Sequence, residues 1–143
     1  ERLKTSIDIQ EEARACMVPK LILQPIVENA LLHGVEPMRE GGEVRITARL
    51  GQDDLFVTIE DNGPGMDQEE LNQCRAAVYS DTGTTDSIGM RNVHRRLRLH
   101  FGEEYGMTIE SRPCGGTAVV LRMPGNRMST EQEQGLYGHS DCG

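Results

Sequence analysis

Aromatic side chains are scarce in this chain. Only 3% of its 143 residues are aromatic, and tryptophan is absent. The core must therefore consist mainly of aliphatic residues and methionine, which at this length is enough for one domain without disulfide or metal staples. No apolar run approaches the ~20 residues of a membrane-spanning helix, and the start of the sequence does not resemble a signal peptide.

Cysteine pairs and excess positive charge are also lacking. The four cysteines show neither CxxC pairing nor zinc-ligand spacing, so we expect free thiols in a reducing compartment (Cys16, Cys74, Cys114 and Cys142). A net charge of −8 argues against a general nucleic-acid or anionic-membrane surface. A single phosphorylated ligand remains compatible with this charge, because local donors and a metal can neutralise it.

Hydrophobic periodicity predicts an α+β two-layer sandwich, with one sheet covered by helices on one face. Pro25 lies inside the first predicted helix, where it predicts a kink or a later helix start. A polar, Gly-rich tail is expected at 125–143 after a domain of residues 1–124. The elements in order are a strand (5–10), a helix (19–34), a hairpin (44–50 and 55–59), a helix (67–77), a loop (79–87), a helix from Ile88, and a hairpin (107–111 and 118–122).

Polar residues interrupt the apolar helix before Gly34. Asn29 offers a neutral amide oxygen, a hard ligand of the kind that Mg²⁺ prefers and shares with substrate phosphates. Glu28 beside it is a candidate to accept a proton or to hold a metal-bound water. On a helical wheel both lie within half a turn of Gln24 and His33. The alternative is a solvated or capped helix face. In either case the apolar stripes of this helix are predicted to pack into the core.

Two glycine-rich segments and a hairpin turn supply the other candidate sites. Asp61, at the end of a predicted strand, would accept a hydrogen bond from the exocyclic amine of adenine, whereas the carbonyl of guanine would be repelled there. Taken alone, the Asp-x-Gly-x-Gly pattern is also a common turn. The hydroxyl- and glycine-rich loop precedes a helix start, which is a typical anion site, and Arg91 is a candidate to add positive charge to it. Thr117 follows two glycines and is predicted to lie beside Asp61.

The ordered set of motifs resembles the ATP-binding catalytic domain of sensor histidine kinases, in particular the LytS/YesM-type branch of the Bergerat-fold ATPases. The resemblance rests on the Val-Pro-x-Leu-x-Leu-Gln-Pro-Ile-Val-Glu-Asn-Ala run (18–30) and the Ile-Gly-Met-Arg-Asn-Val-x-x-Arg-Leu run (88–97). It covers residues 5–124. The fold it implies is a mixed, mostly antiparallel sheet with about three helices on one face.

The resemblance also implies roles for individual residues. Asn29 would be the magnesium ligand, and Glu28 and Asn29 the catalytic pair. Residues 79–87 would form the lid over ATP. The implied ATP-binding set comprises Asn29, His33, Asp61, Asn62, Gly63, Gly65, Met66, Thr82, Gly83, Thr84, Thr85, Ser87, Ile88, Gly89, Met90, Arg91 and Thr117.

The function implied is a histidine protein kinase that uses ATP and Mg²⁺. The γ-phosphate would pass to a histidine on an upstream dimerisation domain outside this chain, for relay to a response regulator. We therefore expect the isolated chain to bind ATP without phosphorylating itself. The implied whole protein is a membrane-anchored homodimer with this domain in the cytoplasm.

Two other functions stay open. Pro25, Leu32 and Ser87 stand where family members often carry a polar ligand, a lysine and a glycine. These departures favour a nucleotide-sensing module that holds ATP without transfer. A gyrase-like ATPase, in which Glu28 would activate water, is the third reading.

Overall fold

A computed structural model describes residues 4–11, 20–35, 41–80 and 88–125, and leaves the side chains of residues 4, 20, 21 and 33–35 undescribed. None of the helices within these ranges is long and apolar enough to cross a membrane. The elements are β1 (Lys4–Ile9), α1 (Lys20–Asn29), a π-helical segment (Ala30–Val35), β2 (Glu43–Gly51), β3 (Asp54–Asp61), α2 (Gln68–Tyr79), α3 (Ile88–Phe101), β4 (Gly106–Ser111) and β5 (Thr117–Pro124).

One five-stranded sheet carries the fold, in the order β1-β2-β3-β5-β4. β1 pairs with β2 in parallel, and the other three pairings are antiparallel. The α+β class, the single mixed and mostly antiparallel sheet and both predicted hairpins are thereby confirmed.

Local sequence explains where the elements turn and begin. Gln52 and Asp53 connect β2 to β3 with φ angles of 53° and 74°, the positive values of a two-residue type I′ turn. At the start of α2, the Asp67 carboxylate accepts from the Glu70 N–H at 2.8 Å, and the Glu70 carboxylate accepts from the Asp67 N–H at 2.9 Å. This reciprocal capping box satisfies two donors that the helix itself leaves free.

The core lies between the helices and one face of the sheet. Alternate strand residues such as Leu55, Val57 and Ile59 are buried, and Leu121 of β5 joins them. In α1 the stripe formed by Ile22, Ile26 and Ala30 is buried, while Leu23, Val27 and Leu31 pack partly against the same cluster. Both apolar stripes of this helix therefore serve packing, as predicted.

Pro25 does not delay the helix. α1 begins at Lys20 with Pro25 in its interior, so the expectation of a later start was wrong. The helix continues as the π-helical segment, a wide form that tends to occur near functional sites. A β-carbon added at Gly89 would lie 3.1 Å from the Pro25 Cβ, so the proline ring packs closely against the first turn of α3.

His94 of α3 is turned into the protein. Its Nδ1 accepts a hydrogen bond from the Met107 N–H at 3.0 Å, and its ring lies 4.9 Å from that of Tyr79. Burial, with a smaller contribution from the charge of Arg98, lowers the pKa of His94 below its ordinary 6.5. His94 therefore joins α3 to β4 and α2 as a neutral structural group.

Candidate functional site

Three polar residues lie side by side at the same end of three adjacent strands, β3, β5 and β4. Asp61 of β3 is in register with Thr117 of β5, and Thr117 is in register with Ser111 of β4. All three continue the alternation of buried positions, so they face the helix layer. The structure thus brings Thr117 beside Asp61, as the sequence predicted, and adds Ser111 to the row.

The Asp61 carboxylate is held by backbone donors. Its Oδ1 accepts from the Gly63 N–H at 2.8 Å, and a backbone hydrogen bond from Thr117 also reaches it. Burial raises the pKa of Asp61 above 3.8, while these two hydrogen bonds favour the ionised form and oppose the rise. An oriented, half-buried carboxylate with spare acceptor capacity is suited to a ligand that donates an N–H.

Two glycines allow close contact between the loop after β3 and the turn before β5. Gly65 has a φ of 72°, and a β-carbon there would collide with the Arg112 carbonyl oxygen. Gly116 has a φ of 75°, and a β-carbon there would collide with the Asp61 carbonyl oxygen. A side chain at either position would push the two segments apart and displace the Asp61 carboxylate.

Ser111 is a positioning residue that the sequence reasoning missed. Its Oγ accepts from the Met66 N–H at 2.9 Å, donates to the Gly116 carbonyl at 2.8 Å and lies 2.9 Å from the Thr117 Oγ1. The Ser111 hydroxyl therefore links both the loop after β3 and the turn before β5 to the end of β4. The signal was present in the alternation of β4, which places Ser111 inward at the strand end opposite Thr117.

Other residues of this group have structural contacts. The Asn62 Oδ1 accepts from the Glu43 N–H, and its Nδ2 donates to the Gly41 carbonyl, each at 2.8 Å. The Asn62 amide thus fastens the start of β2. Met66 is half-buried against the core, so the loop has an apolar floor.

The π-helical segment that continues α1 packs against β2 and against β3, the strand that carries Asp61. The Gln24 Nε2 donates to the Glu28 carboxylate at 3.0 Å, which agrees with the predicted shared helix face. Glu28 is exposed, and Asn29 is half-buried. Two oxygen-bearing side chains are therefore adjacent where α1 joins the π-helical segment.

The first turn of α3 combines packing and charge. Met90 is buried in the core, and Ile88 is exposed. Arg91 is half-buried, and among the described residues its Nε and Nη1 atoms have no hydrogen-bond partner. Because a buried cationic donor without a partner is costly, Arg91 is suited to meet an anion at this helix start.

Part of the predicted site lies outside the described residues. This applies to Thr82, Gly83, Thr84, Thr85 and Ser87 of the predicted lid, to the His33 side chain, and to the predicted tail beyond residue 125. In the part of the chain that the structure describes, no group of three or more His, Cys, Asp or Glu residues could hold a metal ion. A metal at Asn29 would therefore depend on ligand phosphates and water for its remaining oxygens.

Comparisons with known proteins agree with this geometry. The family model described as "Histidine kinase-, DNA gyrase B-, and HSP90-like ATPase" matches residues 18–127. "Sensor histidine kinase YesM" of Bacillus subtilis is 40% identical over 124 residues, which are 87% of this chain and 20% of that protein. This chain thus spans about a fifth of the length of that curated relative.

Solved structures share the fold. The "Catalytic domain of histidine kinase ThkA" superposes with a TM-score of 0.63 at 15% identity, covering 88% of this chain and 82% of that one. A structure of ThkA "in complex with response regulator protein TrrA" has a TM-score of 0.60 at 19% identity, covering 87% of this chain and 35% of that one. At these identities the likeness concerns the fold alone.

Proposed function

Because this chain belongs to the family of histidine kinase-, DNA gyrase B- and HSP90-like ATPases, we propose that it presents Mg-ATP so that the γ-phosphate passes to a histidine on a separate dimerisation domain. Within the family it is the ATP-binding catalytic domain of a sensor histidine kinase. The fold is the corresponding α+β Bergerat fold.

The observation that carries the proposal is the Asp61 arrangement. The Gly63 and Thr117 backbone donors fix the carboxylate and leave acceptor capacity toward the helix layer. The exocyclic amine of adenine donates there, while guanine would bring a carbonyl against a negative charge. We expect the base to lie along the backbone of the loop from Gly63 to Gly65, with Met66 as an apolar neighbour.

Arg91 and the start of α3 would receive the phosphates. The Nε and Nη1 atoms of Arg91, which lack a partner within the described part of the chain, would gain charge-assisted hydrogen bonds from an anion, and the first N–H groups of the helix would add to the attraction. Arg91→Gln should therefore weaken ATP binding about tenfold while leaving adenosine binding unchanged. Arg96→Gln, on the exposed side of the same helix, is the matched control. Equal losses for ATP and adenosine in Arg91→Gln would remove Arg91 from the phosphate site.

The donor set fits magnesium. Asn29 would offer its amide oxygen directly, and Glu28 stands next to it to bind a metal-bound water. The ion would neutralise charge on the phosphates and order them for in-line attack, which is most of what phosphoryl transfer asks of a protein. Asn29→Asp should lower Mg²⁺-dependent ATP affinity more than the free energy of unfolding. Asn72→Asp is a matched control, because its carboxylate still accepts from Gln68. Equal Mg²⁺ dependence in the Asn29 variant and wild type would exclude Asn29 as the ligand.

Transfer requires a histidine outside the described site. The residues of this chain would bind the nucleotide and exclude water, while the attacking imidazole comes from the dimerisation domain. A response regulator would then accept the phosphoryl group. We further propose that the whole protein is a membrane-anchored homodimer with this domain in the cytoplasm.

Labelled ATP separates the three candidate functions. We expect this chain alone to bind Mg-ATP without forming acid-labile phosphohistidine, and a longer protein that includes the dimerisation domain to form it. ATP binding by both proteins with transfer by neither would replace the kinase by a nucleotide-sensing module. Steady phosphate release by this chain alone would favour the gyrase-like ATPase.

A further inference from the structure

The two edges of the sheet differ in how they are protected. On the β4 edge, the Tyr79 hydroxyl donates to the Met107 carbonyl at 2.8 Å, and the Arg75 Nη2 donates to the Ile109 carbonyl at 2.6 Å. The Met107 N–H is taken by His94. Side chains from α2 and α3 therefore occupy the backbone groups that another strand would need, which prevents strand addition at this edge.

In the ranges that the structure describes, β1 pairs with β2 alone and forms the other edge of the sheet. The five β1 residues whose side chains are described, residues 5–9, are all exposed, Ile7 by 66% and Ile9 by 39%. The Gln10 N–H donates to the Ala48 carbonyl of β2. Because alternate residues of a paired strand point their backbone groups to the same side, Thr5, Ile7 and Ile9 direct theirs away from β2. As far as the described residues go, β1 thus offers unpaired backbone groups beside two exposed isoleucines.

The sequence of β1 is complementary to itself. We propose that β1 is a self-association surface, on which a second copy of this chain pairs antiparallel with Ser6 opposite Ser6. This register places Lys4 opposite Asp8 of the second copy and Thr5 opposite Ile7, each twice. The Lys4 and Asp8 positions are non-hydrogen-bonded pairs, the type in which side chains lie closest. Centring the pair on Ile7 instead would leave both charges without a charged partner.

The contact is small. Six residues at ~3.3 Å per residue give a strand of about 20 Å, and such an interface belongs to the class below ~1,200 Å² that forms weak complexes. We expect a dissociation constant on the order of 10⁻⁴ M. The association rests on backbone pairing and charge alone, so it is independent of the nucleotide function proposed above.

Charge exchange tests the register. In sedimentation equilibrium of the 143-residue chain up to about 1 mM, Lys4→Asp or Asp8→Lys should each weaken the dimer about tenfold, because two attractive pairs become repulsive. The double exchange Lys4→Asp with Asp8→Lys restores opposite charges and should restore the wild-type dissociation constant. A chain that is monomeric at 1 mM, or a dimer equally weakened by the double exchange, would overturn the proposal.

A second measurement locates the contact. Ser6→Cys should form a disulfide-linked dimer under mild oxidation, because Cα atoms in a non-hydrogen-bonded pair lie ~4.5 Å apart, within disulfide reach. Thr108→Cys, exposed on the protected β4 edge, is the matched control. Peptide mapping identifies the joined residues among the native thiols. Equal cross-linking of the two variants, or a link that avoids the introduced thiol at position 6, would show that another surface or another occupant is responsible.

Discussion

Replacing Asp61 by Asn separates binding chemistry from folding. The substitution keeps the shape of the side chain and removes its charge. The new amide oxygen can still accept from the Gly63 N–H, now 2.8 Å from Oδ1. The amide nitrogen then takes the place of the second carboxylate oxygen, where it faces the amine of adenine donor to donor.

The expected loss follows from these contacts. A hydrogen bond to a charged group contributes about 1.5–3 kcal/mol, and a donor left unpaired on binding adds about 1–3 kcal/mol. We therefore expect Asp61→Asn to weaken ATP binding by about 3 kcal/mol, or about 100-fold. Since the bond to Gly63 survives and at most the bond from Thr117 is lost, the free energy of unfolding should fall by no more than about 3 kcal/mol.

Calorimetric titration with Mg-ATP and Mg-GTP checks this prediction. Glu60→Gln is the matched control, because it removes the same charge one residue earlier, on the opposite face of β3 toward Arg45 and Thr58. Wild-type chain and Glu60→Gln should prefer ATP over GTP, and Asp61→Asn should lose most of that preference. ATP affinity in Asp61→Asn within about threefold of wild type would refute the adenine assignment.

Three further predictions concern stability and site geometry. Gly65→Ala should lower the free energy of unfolding in urea by more than about 2 kcal/mol, because the added β-carbon would collide with the Arg112 carbonyl. Gly41→Ala is the control: Gly41 has a φ of 78° with open space around it, so this change should cost only about 1 kcal/mol. Equal effects would contradict the close approach at Gly65. Ser111→Ala leaves the Met66 N–H unpaired, so it should cost about 1–3 kcal/mol and weaken ATP binding, whereas the exposed Thr108→Ala should change neither. The folded-state pKa of His94 is lowered, so the unfolded chain binds more protons and stability should fall as the pH drops below about 6.5; His94→Gln should flatten this part of the melting-temperature profile, and an unchanged profile would exclude His94 as its cause.

Much of the fold could be predicted because its signals are local. Alternation of apolar residues predicted both hairpins, and Asp67 marked the start of α2. The apolar stripes of α1 were predicted from helical spacing and are buried, because a helix face is set by residues only three or four positions apart. Of the two alternatives predicted at Pro25, a kink or a later helix start, the later start was wrong: the proline lies inside α1 and packs against Gly89 of α3, a contact that the local sequence does not indicate.

The site was predicted less completely. Asp61 and Thr117 came from the motifs, and strand register brings them together. Ser111 was missed because a serine at a strand end does not by itself indicate a role. Its role depends on contacts with Met66 and Thr117, which lie 45 and six residues away along the chain. The partners of the Asn62 amide, Gly41 and Glu43, and the partner of the His94 ring, Met107, likewise belong to other parts of the fold.

The sequence by itself determined the elements, their order and the chemical types that could bind a nucleotide, since periodicity, caps and motif spacing depend on near neighbours along the chain. Only the tertiary structure decided which polar groups meet and which edge of the sheet is covered by helix side chains. A hydrogen-bond partner or a covering side chain is chosen by register between distant strands and by helix packing. The sequence therefore identified Asp61 as a candidate binding residue. It did not show how the Ser111 hydroxyl, the close approach at Gly65 and Gly116 and the backbone donors of Gly63 and Thr117 hold its carboxylate in place.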